Sequence, residues 1–209
     1  LDNQGTIAWQ KTYGTANADI GFYGDITSDN GFILTGYTVP ENRMDKDIWL
    51  IKTDGEGNEL WSHTFGDYLS QSGTFLQETD DSGFIVIGET IGSSTQTDII
   101  LLKTDHNGIE EWRRVISEPG SDVPYAIKQT NNGYIMVATT TSMGAGNKDI
   151  FLINFDLDGN IIWQKTYGGP ALEYGFDVIL DDDGYVLTGS TSSYGTMFYD
   201  MWILKVDLS

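Results

Sequence analysis

The chain has 209 residues, 39% of them apolar and 20% charged, with 31 acidic against 11 basic side chains and a net charge of −20 at pH 7. This is the composition of a globular chain long enough for one domain or two. No apolar run approaches the roughly 20 residues of a membrane helix, and a surface this acidic, this poor in Lys and Arg, excludes nucleic acid and anionic membranes as partners. The absence of Cys removes disulfides and thiolate metal sites and fits either redox compartment. No basic start leads into an apolar stretch, so no signal peptide is expected within it, and a chain opening on Leu1 is expected to be a mature or excised piece of a longer product.

In chain order, the first element is the N-terminal "LDNQGTIAW", which reads as an outer strand over 6–13. Gly5, Trp9 and Thr12 match Gly57, Trp61 and Thr64 further on. Next come "GFYGDITS" (21–28) and "GFILTGYT" (31–38), joined by the tight turn "SDNG", then "DIWLIKTD" (47–54) and "NELWSHTF" (58–65), joined by "DGEGN". The strands are rich in Ile, Leu, Thr, Tyr and Trp, and the turns are Asp-, Asn- and Gly-rich.

The set then repeats. Trp9, Trp61, Trp112 and Trp163 are 52, 51 and 51 residues apart. Gly31-Phe32, Gly83-Phe84, Gly133-Tyr134 and Gly184-Tyr185 follow each Trp at 21 or 22 residues, then Asp47, Asp98, Asp149 and Asp200, and seven residues later Asp54, Asp105, Asp156 and Asp207. No segment carries a helical period. Four short strands per 51 residues, repeated, are the signature of a propeller blade, which cannot bury both its faces alone. The expected fold is an all-β propeller of four-stranded antiparallel blades in a single domain over 1–209: blades at 21–65, 72–116, 123–167, and 174–207 completed by 6–13. Asp2 stands seven residues before Trp9, as Asp54 does before Trp61, and the sequence stops just after Asp207. The expected closure is therefore a four-bladed ring in which 6–13 pairs with 200–207. The rivals are an excerpt of a larger ring, or two chains pairing into eight blades.

The phrase "LIKTDGEGNELWSHTF", with "DSGFIVIGET" downstream, resembles the prokaryotic extracellular β-propeller repeats (SBBP-like repeats) whose blades end in "KTD..GN..W..T.GG". Its turn-then-Trp portion is also similar to blades of pyrroloquinoline-quinone-type propellers. The resemblance covers the whole chain and departs most in the third copy, where "WRRVISEPG" replaces "WQKTYGG". It implies that the Trp strand is fourth and outermost, that the Trp wedges between blades, burying ~150–250 Å², and that the last Asp of the third strand holds the turn. It also implies an extracellular or cell-surface setting.

Chemistry is sparse. His63 and His106 are the only histidines, without zinc-ligand spacing, and read as solvent-exposed. There is no Gly-x-Ser-x-Gly elbow, and Arg43, Arg113 and Arg114 are too few for a sialidase-type arginine cluster. Carboxylates are so numerous that no pair stands out for glycoside hydrolysis. No cofactor is expected; calcium is the one ion the acidic turns would suit, with Asp156, Asp158 and Asn160 offering oxygens at positions 1, 3 and 5, though the later bidentate Glu is replaced by Tyr167. Asp, Asn and Gly are equally what tight turns require.

The strand order puts uniform Asp-rich turns at one end and the divergent loops "VPENRMDKD", "IGSSTQTD", "SMGAGNKD" and "SSYGTMFYD" at the other. Tyr68, Tyr174, Tyr194, Phe198 and Tyr199 lie on that loop face, where they could bind a glycan or protein or simply plug the ring mouth. The expectation is a non-catalytic binding propeller, a module of a surface protein or assembly. A lectin using these aromatics is the alternative, and a degenerate glycoside hydrolase the second. The protein is expected as a monomer or a pair of four-bladed chains.

Overall fold

A computed structural model describes residues 5–91 and 96–207. Among them are fifteen strands and no helix, arranged as four antiparallel sheets. The first sheet is β1 (Asp19–Ile26), β2 (Phe32–Thr38), β3 (Asp47–Thr53) and β4 (Glu59–Phe65). The second is β5 (Ser70–Glu78), β6 (Phe84–Ile91), β7 (Thr97–Thr104) and β8 (Glu110–Ile116). The third is β9 (Asp122–Thr130), β10 (Gly133–Thr140), β11 (Asp149–Asp156) and β12 (Ile161–Tyr167). The fourth has three strands, β13 (Glu173–Asp181), β14 (Gly184–Thr191) and β15 (Asp200–Asp207). Within each sheet the strands pair in chain order, so every connection is a hairpin.

The hairpins explain the recurring Asp. Asp54 Oδ1 accepts the backbone N–H of Glu56 (3.0 Å) and of Asn58 (2.8 Å), and Asp105 and Asp156 do the same two and four residues on. This satisfies amides that the turn would otherwise leave unpaired. At the other turn of the first, second and fourth sheets a carboxylate grips a third-strand ammonium: Lys52 to Asp29 and Lys103 to Asp81, each at 2.9 Å, and Lys205 to Asp181 at 2.6 Å; in the third sheet Asn154 stands in place of the lysine.

The sheets stack in sequence. Residues alternate between two faces, and each neighbouring pair of sheets buries one core. Ile33, Ile48 and Leu50 of the first meet Phe84, Val86, Ile100 and Leu102 of the second. Ile85, Ile87, Ile99 and Leu101 of the second meet Tyr134, Met136, Phe151 and Ile153 of the third. Ile135, Val137, Ile150 and Leu152 of the third meet Tyr185 and Leu187 of the fourth. This double-sided burial is why the middle strands read as continuous apolar runs. The first strand of each sheet also lies against the sheet before it: β5 packs on β1, β2 and β3, β9 on β5, β6 and β7, and β13 on β9, β10 and β11.

The tryptophans seal these interfaces from outside. Trp61 meets Phe84 at 5.9 Å and Trp112 meets Tyr134 at 6.2 Å, both edge-on, and Trp163 meets Tyr185 at 6.2 Å. Each of the first two indoles covers the turn glycine of the next sheet, Gly108 (φ 76) or Gly159 (φ 75), where a Cβ would stand 2.6 Å from the ring. Glycine is needed there both for its left-handed backbone and for the space. His63 lies against Trp61, tilted by 36° at 5.3 Å, and bonds the Asn107 carbonyl at 3.0 Å, so it is a half-buried clamp rather than the exposed side chain expected; His106 is exposed.

The expected pairing of 6–13 with 200–207 is not formed. Residues 5–13 make no strand, and the free edge of β15 carries no partner among the described residues. The segment packs instead on the first sheet: Trp9 lies edge-on to Phe32 at 5.7 Å, Tyr13 Oη donates to the Gly57 carbonyl (2.7 Å), and Lys11 Nζ to Asn58 Oδ1 (3.0 Å). The fourth sheet packs on the third and makes no comparable contact with the first, where the segment is seated. Asp2, invoked for the closure, and part of the "IGSSTQTD" loop lie outside the described residues.

Candidate functional site

Antiparallel hairpins send the β2–β3, β10–β11 and β14–β15 loops, and the connections between sheets, to one end of the molecule. Backbone bonds tie these loops to each other: Gln71 N–H to Lys46 O (2.8 Å), Glu173 N–H to Lys148 O (2.9 Å) and Ser192 N–H to Leu172 O (2.9 Å). Glu173, fully buried, accepts from Gly169 N–H (2.8 Å), the Thr191 hydroxyl (2.8 Å) and Ser193 N–H (3.1 Å). Burial opposes its ionisation, but these donors outweigh it and hold its pKa below the ordinary value. One carboxylate thus fixes both loops that flank the next residue, Tyr174.

Around Tyr174 the structure assembles an aromatic cluster. Its ring lies nearly parallel to Phe176, 6.2 Å between centroids and 10° between planes, and meets Tyr199 edge-on at 5.9 Å. Phe176 in turn meets Tyr125 at 5.4 Å and 85°. Lys148 Nζ stands 4.8 Å over the Tyr174 ring, and on the first sheet Lys46 Nζ stands 4.2 Å over Tyr37. Glu89 has its pKa raised by burial, against the opposing pull of Lys46, and the Tyr125 phenol is raised by burial and by the charge of Glu89. The arrangement offers flat apolar faces rimmed by two ammonium groups and a carboxyl, suited to holding a ligand by stacking and hydrogen bonds.

Of the five aromatics expected on this face, Tyr174 and Tyr199 are brought together. Tyr194 is a brace: its ring packs on Trp202 (5.4 Å) and its hydroxyl donates to the Gly168 carbonyl (3.1 Å). Tyr68 and Phe198 stand 91% and 80% exposed and take no part in these ring contacts. Phe176 and Tyr125 escaped the sequence reading because they sit further inside first strands, at the fourth residue of β13 and of β9, whereas Tyr174 is at the second residue of β13, beside the connecting loop. Each of those strands carries a bulge at the same place, with Phe22, Thr74, Tyr125 and Phe176 as the residues left out of register. The sequence signal was the residue after Gly21, Gly73, Pro124 and Gly175, and a bulge there re-aims the side chain.

Of the three calcium candidates, Asp156 and Asn160 have their side chains engaged with each other in the turn. Asp156 Oδ1 accepts from Asp158 and Asn160 N–H, and Oδ2 from Asn160 Nδ2 at 2.9 Å. Among the described residues no group of three or more His, Cys, Asp or Glu is arranged to hold a metal ion. No protein-family model matches this chain, and no curated protein sequence matches it at a significant level.

Proposed function

We propose that the four sheets are blades of a β-propeller and that the chain is a non-catalytic extracellular binding module whose ligand stacks on the loop-face aromatics. The propeller reading rests on the sheets' sequential stacking, first strand against the preceding sheet, with an indole sealing each interface. The extracellular setting rests on the resemblance of the repeat phrase. One observation carries the binding reading: Tyr174, Phe176 and Tyr199 form an exposed or half-buried cluster beneath Lys148, positioned by the buried Glu173. Rigid strands presenting aromatics below divergent loops are the usual setting of recognition.

The near-parallel Tyr174 and Phe176 rings also favour the lectin reading, since a flat apolar face suits a sugar ring. The test probes wild type and a Tyr174→Ala/Tyr199→Ala double variant on a glycan array and a peptide array. Binding to peptides or glycans that the double variant loses supports the site and tells the two ligand classes apart. Binding the variant retains, or none on either array, removes the loop-face site. Release of reducing sugar from any array glycan would show a hydrolase instead.

A further inference from the structure

The two end sheets expose complementary faces. On β15, Met201 and Ile203 are 94% and 69% exposed, whereas their counterparts one and three residues after the leading Asp of β3, β7 and β11 are fully buried: Ile48 and Leu50, Ile99 and Leu101, Ile150 and Leu152. On the first sheet Phe32, Leu34 and Trp49 point away from the second sheet and remain half-exposed. Their counterparts Tyr134, Met136 and Phe151 are buried against the second sheet. The unpartnered face of the fourth sheet and that of the first are therefore the two halves of the interface the chain builds three times internally.

The N-terminal segment extends this match. Gly5 has φ 71, beside φ 73, 76 and 75 for Gly57, Gly108 and Gly159, the turn glycines that lead into β4, β8 and β12. Trp9 meets Phe32 as Trp61 meets Phe84 and Trp112 meets Tyr134, at 63°, 61° and 63° between planes. Two residues on, Lys11, His63 and Arg114 each reach the same turn of the following sheet, at Asn58 Oδ1, Asn107 O and Asp158 O. Residues 5–13 thus sit as the outermost strand of a sheet that precedes the first. Beneath them, lined by Trp9, Tyr13, Ile26, Phe32 and Leu34, is a cavity of about 590 Å³. In the interface under Trp112 the corresponding space beside Tyr134 and Met136 is filled by Ile85, Ile87 and Leu101.

We propose that a second copy of this chain fills it. The fourth sheet of one copy packs head-to-tail on the first sheet of the other, Met201 and Ile203 enter the cavity, and residues 5–13 of one pair with β15 of the other as its missing fourth strand. Two such contacts close an eight-sheet ring, within the roughly 4–8 blades propellers use. The pairing removes the free β15 edge. It rests on the propeller reading but not on the loop-face site, so a monomer that still binds through Tyr174 and Tyr199 would defeat this inference alone. With −20 on each copy, raising the salt should strengthen the association.

Sedimentation equilibrium of the 209-residue chain should give twice the 23.1 kDa protomer mass. Ile203→Asp spoils only the tail face and Trp9→Ala only the head face, so each variant alone should sediment as a folded monomer. A mixture of the two, which restores one intact contact, should form a one-to-one dimer. Should Ile203→Asp fail to fold by circular dichroism, Met201→Lys, at the more exposed position, takes its place. A wild-type mass of one protomer, a larger open assembly, a Trp9→Ala variant that stays dimeric, or a mixture that stays monomeric overturns the proposal.

Discussion

The contact between Trp112 and Gly159 can be measured by a double-mutant cycle. In Gly159→Ala the new Cβ would lie 2.6 Å from the indole, at a residue with φ 75. The left-handed backbone alone costs about 1 kcal/mol for a residue with a Cβ. The clash adds to this by forcing the indole off the turn. A fully buried Trp truncated to Ala costs about 3–5 kcal/mol. Trp112 is half-buried, packed on Tyr134 and carrying Arg114 at 5.4 Å, so Trp112→Ala should cost about 2 kcal/mol. If Gly159→Ala expels the indole it forfeits most of the same contact, and its own cost becomes about 3 kcal/mol. In the Trp112→Ala background only the backbone strain remains, so the double variant should also lose about 3 kcal/mol, leaving a coupling of about 2 kcal/mol. Urea unfolding followed by far-ultraviolet circular dichroism gives the four values, read as midpoint shifts at constant slope. Losses in the double variant that add to within about 0.5 kcal/mol of the two single losses would show that the indole does not rest on the turn glycine.

Gly88→Ala places a Cβ 2.0 Å from the Ser72 carbonyl, so the β5–β6 ladder must part; a loss on the order of 4 kcal/mol is expected in the same urea assay, and one below 1 kcal/mol would contradict the register. Burial opposes ionisation of Asp81, but the Thr79 hydroxyl, the Lys103 ammonium and the Gly83 N–H hold its pKa down to about 2, against roughly 3.9 when unfolded. Its folded pKa is depressed, so its stabilisation is present above about pH 4 and lost as pH falls toward 2, with solvent screening keeping it modest. Wild-type stability should therefore drop more steeply through that window than that of Asp81→Asn, and equal slopes would show that the bonds from Thr79, Lys103 and Gly83 do not hold the Asp81 carboxylate. Because both oxygens of Asp156 already accept turn donors, EDTA should leave the melting temperature unchanged, and a drop of several degrees would reveal a bound ion.

What the amino-acid order determined by itself is the repeating unit: strands at 31–38 and 47–54, the tight turns that follow Asp54 and Asp156, and the regular recurrence of Trp61, Trp112 and Trp163. These rest on interactions that span two to four residues or recur at a fixed spacing, so a linear reading captures them. The aromatic cluster was only half legible. Tyr174 and Tyr199 stood out at the edges of loops, but Phe176 and Tyr125 lie inside the first strands of neighbouring sheets, and a bulge, not the alternation of the strand, decides where they point. Glu89, Lys46 and Tyr125 likewise come from three different sheets, so their mutual influence exists only once those sheets stack. The N-terminal segment shows the limit most clearly. Its residues carry the outer-strand pattern and in the fold make the matching contacts of Trp9 and Lys11, yet nothing local can specify which strand it pairs with. Strand pairing is a contact between distant segments, and only the stacking of the sheets decides which edges come within reach of each other.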